Sequence, residues 1–448
     1  MQIAFLTLFL GLTLGAYPVE LAVEGPVASV DLLLDGAAAG RIAPPKGSPW
    51  KGQVDFGAGL LPHELVARGL DEAGQEVART RQWVNLPRPA AEVGIVLEGP
   101  AAKPTRVRIT WQSRTGERPV AARVTLDDKP LSPDQVGRSP LPPYDPEAPH
   151  VLSAELTFPS NVTARRDVVF GGRYGAELST ELTAVPVRLR QGRMPAPQAL
   201  AGWLEADGRA LTVAAVDEGP GEVVIVRDLG PGVAEALEKL GDDRLLRAQD
   251  GTAALTYKPI YQKDMLALGN EATVRFVWPV SSSYGQGALK SELFPQSRVF
   301  SVLDGGLHWV LTSVQPNHDQ MGKGPQRLAD AVAVAGLQAM AGNGPRAVVL
   351  LVGPNPEDRS RYDPATVRRY LAAIRVPLFV WKVGEGPVSG ALSTAWGDAE
   401  DVSTLPGLRA AFAGLKGELG SQRIVWVEGT HLPQAISLSP AAQGLELP

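Results

Sequence analysis

Side chains that could act as metal ligands or nucleophiles are scarce in this chain. It contains no cysteine and only five histidines: His63, His150, His308, His318 and His431. No two histidines have the close spacing of a zinc-binding helix motif. The lack of cysteine excludes disulfides, thiolate metal sites and cysteine nucleophiles. The sequence therefore favours a binding or structural protein over an enzyme.

A serine hydrolase site is the catalytic arrangement that the remaining residues still allow. His318 and Asp319 lie in the loop 315–323, close in sequence to Ser313. However, the G-x-S-x-G turn that presents the nucleophile of α/β-hydrolases is absent from the chain. We therefore predict no catalytic residue, and a hydrolase with an unrecognised site stays open as an alternative.

Acidic side chains cluster before two predicted helix starts: Glu357 and Asp358, then Asp398, Glu400 and Asp401. Negative charge near a helix N-terminus interacts favourably with the helix dipole. We interpret both clusters as solvated and structural rather than as catalytic carboxylate pairs.

A glycine-rich turn, residues 228–232 with the sequence DLGPG, separates a predicted strand (223–227) from a predicted helix (233–240). Such a turn can bind an anion at the helix N-terminus. However, no Gly-Lys-Ser/Thr follows it, and Asp228 would repel phosphate. From these residues alone, we expect Asp228 to cap the helix and the glycines to allow a tight turn.

The composition is that of an ordinary globular protein, with 44% hydrophobic and 20% charged residues. A chain of 448 residues suggests about three domains. The net charge of −5 argues against a nucleic-acid partner, because a phosphate backbone requires clustered cations. Gly and Pro number 48 and 39 without a collagen-type period, which favours β-modules with many turns.

An apolar run, Ile3–Leu14, begins the chain. It is too short to span a bilayer, which needs about 20 residues, but it has the length of a secretory signal core. We expect a signal peptide over residues 1–16 with cleavage after Ala16, and a secreted or periplasmic protein without a membrane span. The alternative interpretation is a buried first strand.

Alternation of apolar and polar residues predicts antiparallel sheets over roughly the first 190 residues. Val107, Ile109 and Trp111, for example, alternate with arginine and threonine. We predict two immunoglobulin-like β-sandwich modules, 19–88 and 91–190.

The two modules share landmarks in the same order, about 90 residues apart. These are a turn with an aspartate, a proline followed by an aromatic residue, and a histidine that begins a strand. The pairs are Asp35 and Asp127, Trp50 and Tyr144, His63 and His150. The repeat suggests a duplication, and we expect each histidine to bond a loop, with a structural role.

After residue 200 strands alternate with helices, which predicts a doubly wound α/β domain over 200–430. The runs 347–352 and 376–383 are typical of strands covered on both faces. Further expected strands are 309–314 and, as the last one, 424–427. The tail 431–448 shows no pattern and is expected to lie along a surface.

The segments Ala329–Val332, Val348–Val352 and Val376–Val380 resemble a von Willebrand factor A (VWA) domain. The chain looks most like VWA-related proteins that bacteria export, which often carry β-sandwich modules upstream. The resemblance covers 200–430 and implies a Rossmann-like α/β domain that binds proteins.

The resemblance also implies the place of a metal ion. In the family, a D-x-S-x-S turn, a Thr and a second Asp hold a divalent cation, which takes its last ligand from a partner carboxylate. The matching positions here are Asp228, Gly230, Gly232, Gln326 and Gly353. Since Mg²⁺ accepts only near-octahedral oxygen sets, and three of these positions have no side-chain oxygen, we predict a vestigial site without metal, and no cofactor.

These features predict an exported, non-catalytic, adhesion-type protein whose partner is another protein. The partner would meet the loops at the carboxyl ends of the parallel strands, 228–232, 315–326 and 353–362. The alternative is a structural component of a cell-envelope or extracellular assembly.

Overall fold

The computed structural model describes residues 2–7, 9, 11–45, 49–87, 91–98, 103–113, 118–127, 129–134, 137–148, 150–158, 163–171, 182–190, 192–241, 268, 272–283, 294–301, 310–311, 314–342 and 344–448, to which all structural statements refer. They divide into two compact units. The first comprises Met1–Pro87, Ala184–Val427 and His431–Pro448, and the second comprises Arg88–Thr183 and Glu428–Thr430. No helix within these ranges is long and apolar enough to cross a membrane.

The first sandwich consists of β1 (Gln2–Phe5), β2 (Ala16–Glu24), β3 (Ser29–Leu34), β4 (Ala37–Ile42), β5 (Trp50–Asp55), β6 (His63–Leu70) and β7 (Glu76–Val84). Its two antiparallel sheets have the strand orders β1-β2-β5 and β4-β3-β6-β7. Alternate side chains, such as Val19 and Leu21 of β2, are fully buried between the sheets. The period-two pattern therefore predicted this sandwich correctly.

Residues 1–16, the expected signal peptide, contribute to this sandwich. β1 pairs with β2 along its whole length, and Ile3 packs so closely on Gly69 that a Cβ there would lie 2.5 Å from Ile3 Cδ1. Phe9 is buried in the same core, whereas Leu12 is buried in a core of the α/β part. The segment thus has the conformation of the alternative interpretation, a buried first strand. An apolar run does not distinguish the two, because a signal core and a core strand share their composition.

The second sandwich consists of β8 (Ala91–Glu98), β9 (Arg106–Ser113), β10 (Ala121–Leu126), β11 (Lys129–Leu131), β12 (Arg138–Pro140), β13 (His150–Thr157) and β14 (Thr163–Phe170). Its antiparallel sheets are β12-β9-β8 and β11-β10-β13-β14. The seven strands repeat the order of β1–β7, with β8 in the place of β1. This common topology agrees with a duplication. It also shows that β1 has an equivalent strand, β8, in the second sandwich.

An Asp–His pair recurs at equivalent turns of the two sandwiches. Asp35 and Asp127 adopt left-handed φ angles of 51° and 48°. His63 Nδ1 lies 2.7 Å from Asp35 Oδ2, and His150 Nδ1 lies 2.6 Å from Asp127 Oδ2. Each aspartate also accepts the backbone N–H of the residue after the histidine, at 2.8 Å. Both histidines therefore bond a turn through an aspartate, and His150 also bonds a loop carbonyl, that of Asp145.

The rest of the chain forms β15 (Leu182–Leu189), β16 (Leu204–Ala206), β17 (Arg209–Ala210), β18 (Val213–Asp217), β19 (Glu222–Arg227), α1 (Pro231–Gly241), β20 (Thr273–Val277), β21 (Phe300–Ser301), α2 (Leu328–Ala341), β22 (Arg346–Val352), α3 (Pro364–Ala373), β23 (Leu378–Lys382), α4 (Gly390–Trp396), β24 (Ala399–Asp401), α5 (Leu405–Ser421), β25 (Gln422–Glu428), β26 (Ile436–Leu438) and β27 (Leu445–Glu446).

A third β-layer, with the sheets β18-β25-β15-β27 and β17-β16-β26, corrects three expectations. The tail 431–448 is not a surface segment, because it supplies β26 and β27 and buries Ile436 and Leu445. The expected last strand, 424–427, pairs antiparallel with β18 outside the α/β sheet. β15 belongs to this layer and not to the second sandwich. The tail strands have two or three residues, too few to show a period.

The α/β part is an open sheet in the order β21-β20-β19-β22-β23-β24. All neighbours are parallel except the edge strand β21. Numbered along the chain, this is the order 3-2-1-4-5-6 of doubly wound folds. Apolar cores cover both faces, one including residues of α1 and α5, the other residues of α2, α3 and α4. The α/β prediction is confirmed at this level.

One predicted strand of this part is wrong. Within 309–314, Val310 and Leu311 lie in a helical turn, and the Val314 N–H donates to the Val310 carbonyl at 3.2 Å. Residues 309, 312 and 313 lie outside the described ranges. A short segment with four apolar residues among six fits a buried helical turn as well as a strand, since periodicity alone does not separate them.

Candidate functional site

The carboxyl edge of the parallel sheet contains a topological switch point between β19 and β22. The chain leaves β19 toward β20 on one side and leaves β22 toward β23 on the other. Asp228 directly follows β19, and Gly353 directly follows β22. Open α/β sheets bind their ligands at such a point, which makes it the candidate site.

The Asp228 carboxylate is buried and accepts three hydrogen bonds. Its Oδ1 accepts from the Gly230 N–H at 2.8 Å and from Gln326 Nε2 at 2.9 Å. Its Oδ2 accepts from the Gly353 N–H at 3.1 Å. Gln326 Oε1 accepts in turn from the Leu229 N–H at 2.8 Å. Three N–H donors satisfy this carboxylate without a cation.

Four of the five positions taken from the VWA resemblance meet here: Asp228, Gly230, Gln326 and Gly353. Gly232 lies in the first turn of α1, and a Cβ on it would contact nothing within 4 Å. The expectation that Asp228 caps α1 needs correction. Its hydrogen bonds go to the turn and to two other loops, so it joins loops rather than capping a helix.

A divalent cation does not fit this set of residues. Mg²⁺ requires oxygen ligands in a near-octahedral array, and Asp228 supplies the carboxylate of the set. Gln326 presents its amide N–H, a donor, to Asp228 Oδ1, and a donor cannot ligate a metal. Within the described ranges, no group of three or more His, Asp or Glu side chains could hold a metal ion.

Asp358 joins the loop 353–362 to the start of α2. Its carboxylate accepts from the backbone N–H groups of Leu328, at 2.9 Å, and Ala329, at 3.2 Å. We expected Glu357 and Asp358 to precede their own helix. Instead Asp358 caps a helix that begins 30 residues earlier. The Arg359 N–H bonds the Gln326 carbonyl at 2.8 Å, which ties this loop to 315–326.

Asp330 strengthens the same junction from inside α2. Its side chain is 2% exposed, and Arg327 Nε donates to it at 2.6 Å. The backbone N–H groups of Arg361 and Tyr362 also donate to it, at 3.0 Å. A buried carboxylate that accepts this many hydrogen bonds fixes the positions of the groups that donate to it. The first turn of α2 is therefore held to the loop 353–362.

Arg227, at the end of β19, forms hydrogen bonds to the start of the loop 315–326. Its guanidinium donates to the Val314 carbonyl at 2.9 Å and to Gln315 Oε1 at 3.0 Å. It also lies 4.8 Å from the ring centroid of Trp278. Burial lowers the pKa of Arg227 to about 10, so the residue is still charged near neutral pH.

Lys382, Asp401 and Ser403 form a polar cluster at the end of β23. Lys382 Nζ, on a side chain that is 1% exposed, donates to the carbonyls of Gly384 and Gly386, to Asp401 Oδ2 at 3.2 Å and to Ser403 Oγ at 3.3 Å. A serine beside a lysine could be a nucleophile with its base. Here Ser403 Oγ donates to the Gly384 carbonyl at 2.8 Å and not to Lys382, so the geometry is not that of a nucleophile with its base.

Asp401 supplies the carboxylate of this cluster. Burial acts to raise its pKa, but hydrogen bonds from Ser403 and Lys382 outweigh burial and lower the pKa. Asp398 and Glu400 are exposed. Thr404 caps α5 by accepting from the Gly407 N–H. Asp398 and Glu400 are thus solvated as expected, whereas Asp401 bonds Lys382 and Ser403.

The serine hydrolase alternative finds little geometry to support it. His318 is exposed in a short 3-10 turn, and Ser313 lies outside the described residues. Ser283 Oγ donates to the Asp319 carbonyl, not to a histidine. In the part of the chain that the structure describes, no serine hydroxyl is hydrogen-bonded to His318.

Sequence reasoning missed Asp330 and Lys382, which position the loops. Each is a single charged residue in or at the end of an apolar run. A charge that is buried with such a run must be paired. This signal was available in the sequence and would have identified both.

A scan against protein-family models and a search of curated proteins each find no match. Among solved structures, fibronectin(III)-like modules of Clostridium thermocellum CbhA are 11% identical over 38% of this chain and 93% of theirs, with a TM-score of 0.15. The fibronectin-III array of RIM-binding protein is 10% identical over 42% and 77%, with a TM-score of 0.23. The human COPII-coat protein Sec24c is 12% identical over 45% and 32%, with a TM-score of 0.24. Scores this low carry no argument about function.

Proposed function

We propose that residues 218–421 form a VWA-like domain that binds another protein through the loops 228–232, 315–326 and 353–362, without metal and without catalysis. The observation that carries this proposal is the Asp228 network, which ties three loops from distant parts of the chain into one surface. A surface that is already ordered loses little conformational entropy on binding. The doubly wound strand order and the meeting of four matched positions support the VWA assignment.

The partner is expected to present a polar surface of mixed charge. Exposed residues of these loops include Asn317, Asp319, Lys323, Glu357 and Arg359. The exposed large apolar side chains of the described chain lie elsewhere. An interface of this kind relies on hydrogen bonds and bridging water more than on apolar burial.

Photo-crosslinking from the loop surface tests the proposal. A benzophenone amino acid at exposed Asn355 should crosslink a discrete partner in native extract. The control is exposed Ala372 in the last turn of α3, at the opposite edge of the sheet. The charge reversals Lys323→Glu and Arg359→Glu should abolish the crosslink, whereas Lys416→Glu on exposed α5 should not. The same product from positions 355 and 372 would contradict the proposal.

The metal-free site predicts a thermal melt that does not respond to cations. A ligand that binds only the folded state raises the melting temperature. Since Asp228 is satisfied by three N–H donors, the midpoint with millimolar Mg²⁺ or Mn²⁺ should match that with chelator. A cation-dependent midpoint that is lost in Asp228→Asn would show that the ligands were wrongly assigned.

Rebuilding the family pattern supplies a positive control. A Cβ on Gly353 would lie 3.6 Å from Asp228 Oδ2, so Gly353→Asp places two carboxylates side by side. Combined with Gly230→Ser, Gly232→Ser and Gln326→Thr, it should lower the midpoint in chelator through like-charge repulsion. Mg²⁺ should then restore part of that loss.

The second candidate function, a structural part of an assembly, is favoured by the position of exposed apolar side chains. Most of them lie on or beside the two sandwiches: Leu6, Tyr17, Leu61, Val96, Val120, Val151 and Leu182. Contacts along the sandwiches would cover them. Light scattering that finds a defined oligomer, reduced to monomer by Val120→Asp, would favour this candidate over the first.

Export remains a prediction. The run Ile3–Leu14, on which it depends, also has a structural explanation as a strand and core segment. N-terminal sequencing of the native protein tests it directly, because a start at Tyr17 requires cleavage and a retained Met1 excludes it.

A further inference from the structure

The environment of His150 in the second sandwich differs from that of its counterpart His63 at one ring nitrogen. The His150 Nδ1 lies 2.6 Å from Asp127 Oδ2, and its Nε2 lies 2.7 Å from the Asp145 carbonyl oxygen. Both neighbours are acceptors. Only the doubly protonated imidazolium can donate to both at once, because neutral imidazole carries a single N–H.

His63 supplies an internal comparison. Its Nδ1 faces the equivalent Asp35 carboxylate at 2.7 Å, but its Nε2 is buried without a partner. No acceptor faces the second ring nitrogen of His63. The two sandwiches thus hold histidines with equivalent carboxylates, and only His150 has a second acceptor.

The segment that His150 holds is short and closely packed. The Asp145 carbonyl also accepts the Ala148 N–H at 3.1 Å. A Cβ on Gly171 would lie 2.5 Å from the Ala148 carbonyl oxygen and 3.3 Å from the His150 ring. The segment 145–148 therefore lies directly over the histidine, and a repulsive contact at Nε2 would displace it.

We propose that His150 is a proton-operated latch of the second sandwich, which holds the segment 145–148 when doubly protonated and releases it when it loses one proton. The remaining proton stays on Nδ1, because a hydrogen bond to a carboxylate is stronger than one to a carbonyl. The Nε2 lone pair then faces the Asp145 carbonyl oxygen, and two acceptors repel.

The charged and titratable groups that face His150 within the described residues favour the latched state. The charges of Asp127 and Asp145 both raise the pKa of His150, and the charge of Lys129 helps to lower the pKa of Asp127. The Tyr144 ring lies 5.0 Å away, and burial raises the pKa of its hydroxyl, so it stays neutral. The hydrogen bond to Asp127 is the largest influence that raises the pKa of His150.

The raised pKa of His150 determines how the stability of the fold depends on pH. Because the pKa of His150 is raised in the folded protein, its protonation stabilises the fold fully below the usual value of about 6.5. That stabilisation is lost as pH rises through the folded value. The melting temperature of the native protein minus that of His150→Gln should therefore fall with rising pH, whereas the difference for His63→Gln should not show this step.

A histidine-selective NMR titration of the full chain tests the latch. Histidine ¹³Cε1 signals are followed from pH 5 to 10, together with the amides of Glu147 and Ala148. We expect the His150 midpoint above the usual histidine value of about 6.5, and the two amides should shift with that midpoint. A His150 midpoint at or below the usual value, or amides without an inflection at the midpoint, would overturn the proposal.

A pair of matched variants distinguishes the proposed latch from a general effect of removing a turn carboxylate. Asp127→Asn keeps a residue that tolerates the left-handed turn, but removes the carboxylate. It should lower the His150 midpoint by about one unit or more and move the amide inflection with it. Asp35→Asn should leave both unchanged. A His150 midpoint that does not move in Asp127→Asn would also overturn the proposal.

Discussion

Deletion of residues 1–16 should unfold the first sandwich or leave it unstable at room temperature. The deletion removes β1 and the buried side chains of Ile3, Phe9 and Leu12. Burial of a large apolar side chain contributes ~1.5–3 kcal/mol, so Ile3 and Phe9 together contribute on the order of 3–6 kcal/mol to the sandwich core, and Leu12 contributes to the core of the α/β part. A whole domain is stable by only about 5–15 kcal/mol.

Polar contacts add to this loss. The Thr13 N–H donates to Asn85 Oδ1 at 2.7 Å, and Asn85 Nδ2 donates back to the Thr13 carbonyl at 2.7 Å. The buried Tyr362 hydroxyl donates to the Leu12 carbonyl at 2.7 Å. Without residues 1–16, Asn85 and Tyr362 lose these partners while still buried, which costs about 1–3 kcal/mol for each unsatisfied group.

Calorimetry of the intact and shortened proteins measures the effect. The transition of the first unit should move down or vanish in the shortened protein. Within the same segment, Ile3→Ala should lower stability, whereas Leu6→Ala should not, because Leu6 is 51% exposed. If the shortened protein melts like the intact one, the segment is dispensable for the fold and a cleaved leader becomes the better explanation.

The sequence was most informative where many residues repeat one local pattern. Long strands such as β13 alternate buried and less buried residues, and β22 is buried at every position. These patterns predicted the sandwiches and the central strands of the α/β sheet. The Asp–His turns were also detectable, because a left-handed aspartate and a strand-opening histidine recur in order.

Other features depend on contacts between distant short segments, which no local pattern reveals. β26 and β27 have two or three residues and pair with strands more than 200 residues away. Gln326 contacts Asp228 across 98 residues. Its position followed only from the VWA resemblance, since an isolated glutamine in a loop has no distinctive pattern.

Arg346 should be the most sensitive single position of the α/β sheet. Its side chain is fully buried at the start of β22 and donates to the carbonyls of Met340, Ile374 and Arg375, at 3.3–3.4 Å. These carbonyls lie at the C-terminal ends of α2 and α3, where the helix dipoles favour a cation. Burial, and then the neighbouring Arg375, lower the pKa of Arg346 to about 10, so it is charged near neutral pH.

Replacement by methionine keeps much of the side-chain length and removes the donors. Arg346→Met leaves buried carbonyls unsatisfied at two helix ends, and each such group costs about 1–3 kcal/mol. Relief of the buried charge offsets part of this cost. We therefore expect a net loss of about 2–4 kcal/mol in the free energy of unfolding, measured by urea denaturation with an unchanged m-value. The loss of stability in Arg346→Lys, which keeps the charge but has fewer donors, should be smaller than the loss in Arg346→Met.

The control is Arg79→Met, which breaks an exposed ion pair with Glu76. It should change stability by less than about 1 kcal/mol. Equal effects of Arg346→Met and Arg79→Met would show that the two helix ends do not depend on this guanidinium.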